Sequence, residues 1–196
     1  ITPHEPNRFG WVVEVDPRDP KAMPVKHTAL GRFSHEGAET IVADTGQLVV
    51  YMGDDARFEY VYKYVSNGRV SAQSNARSGL LSDGVLYVAR FNADGYLTWL
   101  PLVFGQGPLT PENGFASQAD VLIDTRLAAD LLGATPMDRP EDVGPRAGGR
   151  AFVMLTNNSR RKPEQINAAN PRSKSRFGHI IELAEENGNH AASTGR

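Results

Sequence analysis

The sequence predicts an all-β protein, a partial β-propeller of about three to four blades with one inserted helix. Three observations carry this. Gly and Pro are both abundant, at 19 and 13 of 196 residues, which favours a turn-rich β chain over a helical bundle. A Gly-led apolar strand recurs as Gly46-Gln47-Leu48-Val49-Val50, Gly84-Val85-Leu86-Tyr87-Val88 and Gly149-Arg150-Ala151-Phe152-Val153. Arg8-Phe9-Gly10-Trp11-Val12-Val13-Glu14-Val15 returns as Arg176-Phe177-Gly178-His179-Ile180-Ile181-Glu182-Leu183, with Arg57-Phe58-Glu59-Tyr60-Val61-Tyr62 as a looser copy. A β unit recurring about every 40–50 residues marks a propeller, whose small sheets must stack to bury both faces. A sandwich or an open meander would also house such strands. These repeats are too few to close most propellers. Residues 1–196 are therefore expected to form one domain of a larger propeller, with 187–196 as a loose polar tail.

The elements follow in order. Residues 9–15 read as a strand stopped by Asp16-Pro17, and 18–24 as a polar loop. Residues 27–33 form a weaker strand, 39–43 a short one, and 47–52 a β-branched and aromatic one. Residues 58–65 alternate apolar and polar, and Asn67-Gly68 carries a hairpin signal. Residues 85–91 and 96–104 are further strands, the second interrupted by Pro101. Residues 117–132 predict the helix, with Ser117 as N-cap and Gly133 as its stop, packed on a sheet as an insertion. Strands 151–155 and 177–183 close the set.

At 40% hydrophobic and 22% charged, the composition is that of a soluble globular domain. A net charge of −2 gives no bias toward nucleic acid or membrane, and no apolar run is long enough to span a bilayer. The absence of cysteine rules out disulfides and thiolate nucleophiles or ligands within the chain. The chain begins Ile1-Thr2-Pro3 without an initiator Met, so a processed or excised segment is expected.

The candidate chemistry sits at strand ends. The organising stretch is Met137-Asp138-Arg139-Pro140-Glu141, which places a guanidinium and a carboxylate two residues apart across a stiff proline. His35-Glu36-Gly37-Ala38-Glu39 stands in a similar context, with Asp54-Asp55 ending the strand after it. Asn157-Asn158 ends the strand after Glu141 in the same way. In an antiparallel meander Glu36 and Glu39 lie near Asp54 and Asp55, and one rim collects oxygens from several blades. Ca²⁺ needs about six to eight such oxygens, and carboxylates with a histidine also suit Fe³⁺ or Mn²⁺. Each residue alone has a plainer reading. Asp54-Asp55 and Asn157-Asn158 are ordinary turn residues, and His35 is more often a packing histidine than a ligand. Arg139 can pair with Asp138 or Glu141, or grip a phosphate as a bidentate fork. Arg160-Arg161-Lys162 reads as a solvated loop that can also attract an anion. No Gly-x-Ser-x-Gly elbow is present.

Several stretches together resemble the PhoX-type bacterial alkaline phosphatases. They are Asn7-Arg8-Phe9-Gly10-Trp11-Val12-Val13-Glu14-Val15-Asp16-Pro17, Gly31-Arg32-Phe33-Ser34-His35-Glu36-Gly37-Ala38, Tyr51-Met52-Gly53-Asp54-Asp55 with Phe58-Glu59-Tyr60, Gly133-Ala134-Thr135-Pro136-Met137-Asp138-Arg139-Pro140-Glu141, and Leu155-Thr156-Asn157-Asn158-Ser159. The resemblance implies a propeller that hydrolyses phosphomonoesters with Ca²⁺ and Fe³⁺ at its centre. It implies a periplasmic or secreted protein, exported in many members by the twin-arginine route, and a monomer when full length. Glu36 and Glu141 would be metal ligands, joined by Asp54, Asp55 and Asn157, and Arg139 would hold the substrate phosphate. The family's iron site also uses a cysteine, which this chain lacks, and further acidic ligands are not found here. Both departures fit a chain that carries part of the site. Two rival readings are a Ca²⁺-dependent lactonase-type propeller and a non-enzymatic Ca²⁺-stabilised scaffold.

Overall fold

The structure, a computed structural model, describes residues 2–74 and 79–196. The chain opens with a short antiparallel pair, β1 (Val12–Glu14) and β2 (Val25–His27). A meander follows: β3 (Glu39–Val42), β4 (Gln47–Gly53), β5 (Val61–Arg69), β6 (Gly84–Phe91) and β7 (Leu97–Pro101). Two short helices, α1 (Gln118–Ile123) and α2 (Thr125–Leu132), precede β8 (Pro140–Arg146), β9 (Arg150–Leu155), β10 (His179–Ala184) and β11 (Thr194–Gly195). Three antiparallel sheets result, in the orders β1-β2, β10-β9-β8 and β11-β7-β6-β5-β4-β3. The fold is a partial, propeller-like all-β architecture.

Two cores explain the apolar runs. On one face of the large sheet Val50, Met52, Tyr62, Tyr64, Leu86 and Val88 pack against Phe115, Val121, Ala128 and Ala129 of the helical insertion. On the other, Val49, Tyr51, Val61, Ala89 and Trp99 meet Val143, Ala151, Val153 and Leu183 of the three-stranded sheet. Strand β4 is apolar throughout its middle because both of its faces are covered. This face-to-face stacking brings β8 against β3 and β4. Gly53 makes the approach possible, since a Cβ there would collide with the Glu141 carbonyl.

The structure corrects several sequence expectations. Residues 27–33 are not a strand: β2 ends at His27, and a 3-10 turn over Thr28–Leu30 reaches Gly31 at φ 79°. The single helix over 117–132 is two helices, broken at Asp124. Ser117 does cap the first, accepting from the Asp120 N–H, and Gly133 ends the second in the left-handed region. Asn67-Gly68 is not a turn, because β5 runs on to Arg69 and Asn67 N–H donates to Asp83 O. The Gly46-led and Gly84-led strands lie in one sheet rather than opening separate blades.

Residues 187–196 are no loose tail. β11 adds an edge to β7, and His190 is buried. The anchor is a polar cluster. Lys63 Nζ, fully buried, donates to Glu185 at 2.9 Å and to Ala192 O at 2.7 Å. The Tyr51 hydroxyl and Trp99 Nε1 also donate to Glu185, so this buried carboxylate is fully engaged. Burial pulls the Lys63 ammonium down to about 8, against the opposing pull of Glu185. No helix among the described residues is long and apolar enough to cross a membrane.

Candidate functional site

The end of β4, the entry to β3 and the entry to β8 converge. His35 bridges to Asp54, Glu36 N–H donates to Gly53 O at 3.2 Å, and Asp55 N–H donates to Ser34 O at 3.0 Å. These bonds lay 34–36 beside 53–55. Gly37 lets this segment pass close to β8, where a Cβ would come to 2.6 Å from Asp142 Oδ1. A bulge between Pro140 and Val143 interrupts the β8–β9 register, and Glu141 sits in it. Bulges re-aim side chains at strand ends, and that is its effect on Glu141.

Arg139 lies at the centre. Its backbone is in the left-handed region at φ 48°, which is unfavourable for a residue with a Cβ. Its Nε and Nη2 donate to the two oxygens of Asp55 at 2.9 and 3.0 Å, a bidentate fork. Glu141 stands 3.6 Å from Nη2. Hydrogen bonding to Asp55 first, then the charges of Asp55, Glu141 and Glu36, hold the guanidinium above its ordinary pKa. The pair is partly exposed, at 28% for Arg139 and 21% for Asp55, so it can meet a ligand. Glu36, Asp55, Arg139 and Glu141 are thus brought together as the strand-end pattern predicts.

The remaining expected residues fall elsewhere. Asp54 points away from this rim, and its side chain is wholly buried. Arg126 Nε donates to Asp54 Oδ2 at 2.8 Å and Arg126 Nη2 donates to Oδ1 at 2.6 Å, while Ser34 N–H adds a third bond. Its oxygens are engaged in a lock between β4 and α2. Asn157 is exposed, two residues beyond the end of β9. It adjoins the rim only through the neighbouring Thr156 N–H, which donates to Arg139 O at 3.2 Å. Glu39 pairs with Tyr51 across β3–β4 and is exposed. His35 is a packing histidine in this geometry. It stacks on Phe33 at 3.7 Å between ring centroids, and Nε2 donates to Gly31 O. Burial lowers its pKa.

Sequence reasoning missed Arg126 and misread Arg161. The latter is no solvated loop residue: it is 2% exposed, and its Nε donates to Asp138 at 2.5 Å. Nothing local in the sequence signals either partner. Asp54 and Arg126 are far apart in the chain, and Arg161 looks like its exposed neighbours.

The donor chemistry fits hard cations in kind, since Glu36, Asp55 and Glu141 offer carboxylate oxygens. It does not fit in number. Among the described residues no group of three or more His, Cys, Asp or Glu side chains lies close enough to hold a metal ion alone.

The family model described as alkaline phosphatase PhoX matches residues 1–196. A search of curated proteins finds no match. Among solved structures, the chain is similar to Pseudomonas fluorescens PhoX in complex with vanadate, a transition state analogue, at 45% identity and a TM-score of 0.92. The alignment covers 98% of this chain and 35% of that one, so the chain spans about a third of its relative's length. With a match across every residue, this chain belongs to the PhoX alkaline phosphatase family.

Proposed function

We propose that the full protein to which this chain contributes is a metal-dependent phosphomonoester hydrolase, and that Arg139 binds the phosphate. The observation that carries the reading is a partly exposed arginine on strained backbone, gripped by Asp55 and approached by Glu141, with Glu36 on the adjoining segment. A guanidinium ringed by carboxylates would be over-neutralised on its own. Cations on the carboxylates and an anion on the guanidinium would balance the cluster. Ca²⁺ and Fe³⁺ are the proposed metals, with Glu36 and Glu141 as ligands and Asn157 at the rim. Bound there, they would supply Lewis acidity to the phosphoryl oxygens and the leaving oxygen.

The chain's own residues do the rest. Asp55 fixes the Nε–Nη2 edge of Arg139, and among the described residues Nη1 meets no acceptor. That nitrogen is the donor for a phosphate oxygen, and it neutralises charge that gathers on the equatorial oxygens. The small-molecule substrate docks at the rim, with neither nucleic acid nor a membrane span involved. The residues form one domain of a larger propeller, monomeric at full length and periplasmic or secreted.

Elemental analysis of the full-length protein, beside hydrolysis of a chromogenic phosphomonoester with and without chelator, tests this. Calcium and iron with chelator-sensitive hydrolysis are the expected result. Calcium without iron or hydrolysis would overturn it, in favour of a lactonase-type enzyme or a scaffold.

A further inference from the structure

Arg139 keeps a conformation that its side chain disfavours, so something must hold it there. Four non-glycine residues among those described have positive φ: Phe58, Arg139, Lys174 and Asn187. Two of them, Phe58 and Lys174, contact Arg161, which also holds the residue before Arg139. The Arg161 guanidinium lies over the Phe58 ring at 5.2 Å from the centroid. Its carbonyl accepts from the Lys174 N–H at 2.9 Å. Its Nε donates to Asp138, the residue before Arg139. Arg161 Nη2 donates to Pro136 O at 2.8 Å and Nη1 to Gln165 O at 2.7 Å, so the guanidinium ties the segment before Arg139 to its own loop.

A second contact closes the grip. Asn170 accepts from the Asp138 N–H at 2.9 Å and donates through Nδ2 to Pro136 O at 3.2 Å. Phe58 N–H donates to Met137 O, and Met137 N–H donates to Glu59 O, both at 2.9 Å. Residues 136–138 are therefore held from three directions while Arg139 projects beyond them. Asp138 and Arg161 are 0% and 2% exposed. A pair so buried gives little net stability over apolar packing, so its use is better sought in specificity of geometry.

We propose that the Asp138–Arg161 pair, with Asn170, is the positioning device for Arg139, fixing the strained turn that aims the phosphate-binding guanidinium. Neither residue touches substrate. The proposal rests on the phosphate-binding reading of Arg139 and adds what makes that residue competent.

A double-mutant cycle on the full-length, metal-loaded protein tests it. Asp138→Asn combined with Arg161→Gln removes the charges together and leaves no lone buried ion. The readouts are kcat and KM for a phosphomonoester, inorganic phosphate affinity by calorimetry, and Tm. The paired variant is expected to lose about 10- to 100-fold in kcat/KM and to bind phosphate more weakly, as a displaced catalytic group does. In an Arg139→Ala background the same pair should cost less than about twofold, because its partner is already gone. An equal loss in both backgrounds would overturn the proposal, since a general structural role acts regardless of Arg139. No loss in the native background would overturn it as well. Should the paired variant fail to fold, Asn170→Ala keeps both charges and gives the same cycle with a smaller expected loss, about 3- to 10-fold. If Arg139→Ala alone keeps native activity and phosphate affinity, the phosphate reading itself falls. If Arg139→Ala is damaging while the clamp variants are not, only the clamp falls.

Discussion

Asp54 and Asp55 are neighbours at the end of one strand, each takes an arginine in a bidentate fork, and their fates are opposite. Asp54 is fully buried and tied to Arg126 of α2, so it closes the fold. Asp55 is partly exposed and tied to Arg139 at the entry of β8, so it presents a guanidinium to solvent. Just past the end of β4 the two side chains leave toward different partners, one on α2 and one at the entry of β8. The same dipeptide thus serves structure on one side and chemistry on the other. Burial, rather than residue type, decides which is which.

The largest expected effect comes from breaking the exposed pair at its cation. Arg139→Ala in the full-length protein should lower kcat/KM for a phosphomonoester about 10³-fold, the scale of an arginine on a transferring phosphoryl group. The exposed pair contributes little to folding, so the unfolding free energy from urea titration should fall by less than about 1 kcal/mol. The buried pair should behave the other way. Arg126→Ala leaves the Asp54 carboxylate without its partner, and denaturant unfolding should report a loss of about 2–4 kcal/mol. The figure is held below that of a fully buried pair because Arg126 is 41% exposed.

A smaller effect sharpens the contrast through pH. Glu59 stands 3.4 Å from Arg126. Burial pushes its carboxyl up to about 7, with Asp54 and Asp130 adding to the rise and Arg126 opposing it. A carboxyl with a folded pKa above its unfolded value contributes stability that is full below the ordinary carboxylate range. That contribution is lost as pH rises through about 7. Unfolding measured at about pH 5 and about pH 8 should show Glu59→Gln relieving about 1–2 kcal/mol of this loss, discounted for partial solvation.

Much of the architecture was legible because it rests on local rules. The β-branched and aromatic run over 47–52 announces a strand, and Ser117 and Gly133 announce helix ends. The rim was legible too. Glu36, Asp55 and Glu141 follow from antiparallel strands returning to one end, and Arg139 is two residues from Glu141. What the sequence hid depends on contacts between distant segments. Arg126 sits on a helix that reads as a plain insertion, yet it holds Asp54. Arg161 sits in a basic run that reads as solvated, yet it is buried against Asp138. Residues 187–196 look polar and loose, but buried Lys63 finds its acceptors in Glu185 and Ala192. Asn67-Gly68 carries a strong turn signal that the continuing ladder overrides.

The most direct test places the neighbours side by side in the full-length protein, as Asp54→Asn and Asp55→Asn, with Tm and phosphomonoester kcat/KM measured on both. Asp54→Asn should lower Tm sharply, and what remains folded should keep most of its turnover. Asp55→Asn should keep its Tm and lose turnover, because Arg139 is no longer aimed. Equal losses of stability and activity in both variants would contradict the division of labour between the two aspartates.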